Sequence, residues 1–301
     1  VQRINPAFYI GKGKAQQVID QAKLLGANVI IFDDELSPAQ IKNYHKLAKK
    51  IKVIDRSSLI LDIFKKHAKT REAKTQVELA LCQYLLPRLT RQWTHLERQM
   101  GGVGTRAGMG ETQIEVDRRL IRDKISKLKS DLTKIESERT TQSQNRVNEF
   151  RVALVGYTNA GKSTLFNSLT GNNVYVKNQL FATLDTTVRK LKLDKKHQVL
   201  ISDTVGFIRK LPHNLVASFK STLKELLEAN HILIVLDASS KIIDEHLETI
   251  SQVLNELGAN EIPKSYIFNK IDLVENEVDI KKLKSNYSNA ILTSALHHLR
   301  L

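Results

Sequence analysis

Short apolar runs separated by amphipathic stretches mark the first 65 residues. Ala7-Phe8-Tyr9-Ile10, Val29-Ile30-Ile31-Phe32 and Ile51-Lys52-Val53-Ile54 have the length and residue types of strands. Ser37-Pro38 reads as an N-cap followed by proline at the first helical position, and Asp55-Arg56-Ser57 leads into another periodic stretch. Strand–helix alternation at this spacing predicts a small parallel sheet with helices packed on it. The Gly11-Lys12-Gly13-Lys14 turn lacks the spacing of a phosphate loop and reads first as a glycine turn entering a helix, with a second nucleotide site as the alternative.

The period then changes. Val77, Leu81, Leu85, Leu89, Trp93, Leu96 and Met100 recur at steps of three or four, and Ile121, Ile125, Leu128, Leu132 and Ile135 do the same. Two such seams predict two long helices packed as an antiparallel hairpin. Pro87 falls in the first seam and predicts a kink there. A helix from Arg71 to Met100 would be about 45 Å long, an arm rather than a compact domain. Between the seams, five of the chain's 13 glycines lie within residues 101–110. Glycine at that density supplies mobility and lets backbone approach a partner closely. Thr140 to Asn148, rich in Ser, Gln and Asn, reads as a linker. The predicted segments are therefore residues 1–66, 67–148 and 149–301.

Composition sharpens this picture. Of 301 residues 41% are hydrophobic, which excludes a disordered chain, and no apolar run reaches the length of a membrane span. The single cysteine, Cys82, excludes an internal disulfide. With no signal-peptide pattern at Val1, the expectation is a cytoplasmic protein without membrane insertion. The net charge is +15, and residues 65–150 carry +7 of it against +4 in each flanking segment. An excess of this size is compatible with nucleic acid, an anionic membrane or a basic solvated surface, and charge alone does not choose among them. Arg98 and Arg106, with Gly101, Gly102, Gly104, Gly108 and Gly110, read either as a floppy connector or as a basic, adaptable tip suited to a crevice lined with RNA phosphates.

The third segment carries the chemistry. Val152-Ala153-Leu154-Val155 runs into Gly156-Tyr157-Thr158-Asn159-Ala160-Gly161-Lys162-Ser163-Thr164, a phosphate loop in strand–loop–helix context. Its backbone N–H groups and the helix N-terminus make a phosphate nest. Lys162 would reach the terminal phosphates and the Ser163 hydroxyl would bind Mg²⁺. Strand Val199-Leu200-Ile201 leads to Asp203-Thr204-Val205-Gly206, where Asp203 would hold Mg²⁺ and the Gly206 N–H would meet the γ-phosphate. Ser265-Tyr266-Ile267-Phe268 leads to Asn269-Lys270-Ile271-Asp272. Asp272 can accept hydrogen bonds from the guanine ring N–H and amine, and adenine would leave that carboxylate unpaired. Thr293-Ser294-Ala295-Leu296 supplies backbone N–H groups for the guanine carbonyl. The ordered motifs imply a GTP- and GDP-binding domain.

Phe181-Ala182-Thr183-Leu184-Asp185-Thr186-Thr187 reads as a switch loop whose threonine binds Mg²⁺ in the GTP state, and spacing does not choose among Thr183, Thr186 and Thr187. Phe207 follows Gly206 where many regulatory GTPases carry a water-orienting glutamine. Hydrolysis should be slow until a partner, an ion or a reorganised loop completes the site, a gain of about 10³–10⁵ in rate or roughly 4–7 kcal/mol. The Asn159 carbonyl could ligate K⁺ in place of an arginine finger, or Asn159 could simply suit a turn.

Together with Trp93-Thr94-His95-Leu96-Glu97-Arg98, Gly110-Glu111-Thr112-Gln113 and Asp203-Thr204-Val205-Gly206-Phe207-Ile208-Arg209, these motifs resemble HflX-type GTPases of the Obg–HflX superfamily. The resemblance runs from Asn5-Pro6 to Ser294-Ala295. It implies an α/β protein, a P-loop GTPase domain preceded by a small parallel α/β domain and a long antiparallel helical hairpin. It also implies Thr183 as the Mg²⁺-binding switch threonine. Through it the expected partner is the large ribosomal subunit and its rRNA, and the expected role is splitting or rescuing stalled ribosomes as a monomer. Ending at Leu301, the chain lacks the closing helix and C-terminal domain the resemblance implies, which suggests truncation. Two other classes compete: an RNA-remodelling enzyme with a second nucleotide site, and a regulatory switch for a protein partner.

Overall fold

The structure is a computed structural model and describes residues 4–89, 113–143, 149–171, 181, 184, 186–209, 224–287 and 289–299. Its contacts divide the chain into two units, residues 1–65 with 75–133, and residues 66–74 with 134–301.

In the first unit, α1 (Lys12–Leu24), β1 (Val29–Phe32), α2 (Pro38–Ala48), β2 (Lys52–Asp55) and α3 (Arg56–His67) follow one another. β1 and β2 pair in parallel, Val29 opposite Lys52 through Phe32 opposite Asp55. Ser37 caps α2 as expected: its hydroxyl accepts from the Gln40 amide, and the Gln40 side chain accepts from the Ser37 amide. Gly11, at φ 88, is the N-cap of α1, the role of a turn entering a helix. The core joins Ile19, Leu36, Ile41, Tyr44 and Val53.

The Ala7–Ile10 run is not a strand. Asn5 and Tyr9 form one antiparallel bridge, and the Asn5 side chain accepts from the Ala7 and Phe8 amides. Tyr9 sits at φ 62, so the run folds back on itself, with the Tyr9 hydroxyl donating to Asp34. The apolar signal was real, since Phe8 packs edge-on to Tyr44, but it served a turn.

α4 (Arg71–Leu85) ends before Pro87, and a 3₁₀ turn covers Leu86–Arg88. Leu89 is extended at ψ 114, so within the described residues the proline terminates the α-helix instead of kinking it. α5 (Gln113–Ser143) carries the second seam. Leu79, Cys82 and Leu89 pack with Ile121 and Leu128, flanked by Ile125 and Leu132. Lys124 pairs with Glu78 alongside, at 2.5 Å. Residues 90–112, which include the glycine-rich tip, lie outside the described residues.

Arg88 is buried in this unit, 6% exposed. Its guanidinium pairs with Glu35 at 2.8 Å, donates to the carbonyls of Tyr84 and Leu36 at 3.0 Å, and lies over the Tyr84 ring. It also stands 3.6 Å from the fully buried Asp55. Asp55 accepts from the Leu36 and Ser58 amides and from the Tyr84 hydroxyl. Burial and the adjacent Asp55 push the Tyr84 phenol well above its ordinary range. The buried charge pair ties the 3₁₀ turn after α4 to β2, and three hydrogen bonds from Leu36, Ser58 and Tyr84 share the Asp55 carboxylate.

The second unit holds β3 (Phe150–Gly156), α6 (Lys162–Thr170), β4 (Thr187–Lys192), β5 (Gln198–Asp203), α7 (Lys224–Leu227), β6 (His231–Asp237), α8 (Ile243–Leu257), β7 (Lys264–Asn269), α9 (Glu277–Asn286) and β8 (Ile291–Leu292). The sheet order is β4-β5-β3-β6-β7-β8, with β4 antiparallel and the other strands parallel. The parallel strands β3, β5, β6 and β7 are apolar on both faces over their central residues, as a covered sheet requires. The chain leaves β3 for β5 on one side and returns to β6 on the other. A ligand crevice therefore opens at the carboxyl end of β3.

Candidate functional site

The segments that carry the sequence motifs converge at that crevice. Between β3 and α6 the loop turns through Asn159 at φ 64 and Gly161 at φ 91. A β-carbon on Gly161 would lie 2.2 Å from the Asn269 Nδ2, so the close approach of the two motifs requires glycine there. Asn159 occupies the left-handed conformation its turn role calls for.

Lys162 is buried, and its ammonium donates to the carbonyls of Gly156 and Tyr157 at 3.1 and 3.0 Å. Burial pulls its pKa down to about 8, and the nearby Asp203 acts in the opposite sense. The Ser163 hydroxyl donates to Asp203 Oδ2 at 2.6 Å. Asp203, fully buried at the end of β5, thus stands beside the two phosphate-loop side chains that the sequence pairs it with. A hydroxyl and a carboxylate oxygen converging beside a phosphate nest form a donor set suited to a hard divalent cation such as Mg²⁺.

Beyond Asp203 the chain is stitched to the phosphate loop. Thr204 donates its hydroxyl to the Leu154 carbonyl at 2.6 Å. The Phe207 amide donates to the Gly156 carbonyl at 3.0 Å, and the Thr158 amide donates to the Phe207 carbonyl at 2.7 Å. Val205 and the Phe207 ring are buried, the ring 2% exposed. Gly206 is packed so closely that a β-carbon would lie 2.9 Å from the Thr158 Cα and 3.0 Å from the Lys162 Nζ. Next, the Arg209 amide donates to the Tyr157 hydroxyl at 3.1 Å, and the Tyr157 ring stacks on His246 of α8. Arg209 closes the Asp203–Arg209 run that carries the family resemblance, without a role assigned to it from sequence, and His246 was missed by sequence reasoning altogether. The 88 residues between Tyr157 and His246 leave no local pattern to find.

At the other end, Asn269 is 2% exposed and joins two loops. Its Nδ2 donates to the Ala160 carbonyl at 3.1 Å, and its Oδ1 accepts from the Ala295 amide at 2.9 Å. Lys270 takes a left-handed backbone, φ 62, and its ammonium pairs with Asp237 at 2.7 Å. Asp272 follows in the 3₁₀ turn Ile271–Leu273, its side chain 18% exposed and its Oδ1 accepting from the Ser294 hydroxyl at 2.5 Å. Ser294 and Ala295 are buried, whereas Leu296 is 69% exposed.

In the switch segment, Phe181 and Leu184 are buried. Thr187 opens β4 opposite Asp203. Ala182, Thr183 and Asp185 lie outside the described residues, as do Arg98, Gly101, Gly102, Gly104, Arg106, Gly108 and Gly110.

A mixed six-stranded sheet with these loops at its carboxyl edge defines a P-loop GTPase. Family models agree along the chain: "GTP-binding GTPase N-terminal" matches residues 1–65, "GTP-binding GTPase Middle Region" residues 67–146, and "50S ribosome-binding GTPase" residues 151–270. GTPase HflX of Escherichia coli (strain K12) is 48% identical over 294 residues, covering 97% of this chain and 68% of that protein. GTPase HflX of Flavobacterium psychrophilum is 51% identical over 272 residues, covering 90% of this chain and 65% of that protein. A solved GTP-binding protein from Sulfolobus solfataricus in complex with GDP is 26% identical, covers 99% of this chain and 84% of its own, and superposes with a TM-score of 0.50. The chain belongs to the HflX family of GTPases, and it spans about two thirds of the length of these relatives.

Proposed function

We propose that this chain is a GTP-hydrolysing factor that binds the large ribosomal subunit and its rRNA and splits or rescues stalled ribosomes. The observation that carries the reading is the position of Phe207. Its ring is buried and its backbone is bonded to Gly156 and Thr158, so no side chain at this position reaches an attacking water. Such a site has the parts for binding and lacks one for turnover, and a large partner that completes it would couple hydrolysis to docking. The match to a model described as "50S ribosome-binding GTPase" supports the large subunit as that partner. The +7 charge of residues 65–150 supports RNA as what it touches.

In this reading Gly156 to Thr164 cradle the phosphates, Lys162 neutralises their terminal charge, and Gly206 meets the γ-phosphate. Asn269, Lys270, Asp272 and the Ser294–Leu296 loop hold guanine. Ser163 and Asp203, with Thr183 from the switch loop, would hold Mg²⁺, which supplies charge neutralisation on the β- and γ-phosphates. Asn159 would hold K⁺ beside them.

The test is GTP turnover with and without purified large subunits, in potassium and in sodium buffer. Strong stimulation by the subunit is the expected result. A nucleotide-competent chain that the subunit leaves unstimulated overturns the reading. Loss of stimulation in sodium alone would assign K⁺ to the site.

A further inference from the structure

We propose that His246, on α8 and outside every nucleotide motif, is a positioning residue for GTP hydrolysis. It holds the Tyr157 ring in place so that the Tyr157 hydroxyl keeps the Gly206–Arg209 backbone in register with the phosphate loop. This rests on the reading of the site as a GTPase centre and adds to it a contact that sets the geometry of the segment facing the γ-phosphate.

With the Phe207 ring buried, only the backbone of this segment is available to the reacting phosphate, so its register matters more than its side chains. Three hydrogen bonds set that register: Phe207 N to Gly156 O, Thr158 N to Phe207 O, and Arg209 N to Tyr157 Oη. The first two are made by the main chain of the loop itself. The third depends on where one aromatic ring lies. The Tyr157 and His246 rings have centroids 3.9 Å apart and planes within 20°, a stack that fixes the hydroxyl. The residue before His246 acts on the same segment, since Glu245 pairs with the Arg209 guanidinium at 2.6 Å. Two adjacent residues of α8 therefore grip Arg209, one through its side chain and one through the tyrosine that holds its amide. The charged groups facing His246 are Asp237, itself paired with Lys270, and Glu245, paired with Arg209. Burial keeps the imidazole toward its neutral form against the pull of those two carboxylates, so the stack does not place a cation beside Arg209.

The experiment uses the full chain and the variants His246→Ala, His246→Phe and Tyr157→Phe. Amide hydrogen exchange across residues 203–209 in the nucleotide-free protein reads the register. Fluorescent GDP affinity and single-turnover GTP hydrolysis read its consequence. His246→Ala and Tyr157→Phe should speed exchange at Phe207 and Arg209 about tenfold and slow hydrolysis about tenfold. GDP affinity in His246→Ala should stay within about twofold of wild type. His246→Phe, which keeps a flat ring, should restore both. Unchanged exchange in His246→Ala overturns the proposal, as does a loss of hydrolysis matched by an equal loss of GDP affinity, or a failure of His246→Phe to recover. A wild-type chain that turns over no GTP would instead count against the reading of the site, with exchange still deciding the contact.

Discussion

The hydroxyl of Ser294 donates to the carboxylate of Asp272 at 2.5 Å, joining the loop after β8 to the turn after β7. The bond engages one carboxylate oxygen, and His297 Nε2 stands 3.7 Å from the other; in the proposed reading the carboxylate also accepts from the guanine ring N–H and exocyclic amine. In that reading base selection depends on Ser294 as well as on Asp272.

Replacing Asp272 by Asn should move preference from guanine toward xanthine nucleotides, because the amide presents donors where the carboxylate accepted. Ser294→Ala should weaken GDP by about tenfold, the worth of one charge-assisted hydrogen bond, while keeping guanine preferred. Competition of GDP and XDP for each variant measures both. Unchanged GDP affinity in Asp272→Asn would contradict the assignment of the base site.

Lys162 provides a pH signature. Burial pulls its pKa down to about 8, so it is half protonated near pH 8. Phosphates bound beside it favour the charged form and return the pKa toward the ordinary lysine value. Through Lys162, GDP binding should therefore take up about half a proton at pH 8, a contribution that fades at lower pH as the ammonium becomes charged in both states. Calorimetry in buffers of different ionisation enthalpy measures the uptake directly.

Arg88 and Asp55 give a prediction about stability. Arg88→Met leaves the fully buried Asp55 without its cation, although two amides and the Tyr84 hydroxyl still donate to it. The expected loss is about 3 kcal/mol, toward the lower end for a broken buried pair. It should appear as a lowered urea midpoint for the first unit, with GDP affinity unchanged.

Deleting residues 101–110 tests the arm. Nucleotide affinity should stay at the wild-type level while ribosome splitting is abolished, followed by sucrose-gradient separation of subunits. Loss of GTP binding in that deletion would contradict the separation of binding and splitting functions.

The nucleotide loops were legible because their chemistry is local: each is a short run of fixed spacing at the end of an apolar strand. Asp203 at the end of β5 and Asn269 at the end of β7 could be read without knowing where the strands would pair. The small sheet was legible in β1 and β2, whose apolar runs are long enough to pair. Ala7–Ile10 was not, because its aromatic residues pack from a turn that depends on the Asn5 side chain and on Tyr9 at positive φ. Pro87 marked a disturbance, and only the extended Leu89 shows that the α-helix stops there. Tyr157 with His246, and Arg88 with Asp55, are invisible to any local pattern. Each pair joins residues far apart in sequence, and each is made by burial that only the finished fold supplies.

The anchoring of Arg88 carries a mechanical consequence. A lever needs a fulcrum, and Arg88, just before Leu89, is held against the β1–β2 region through Glu35, the Leu36 carbonyl and Asp55. A load reaching the 3₁₀ turn would pass into the sheet as a torque, because the turn cannot swivel without drawing the Arg88 cation away from the buried Asp55.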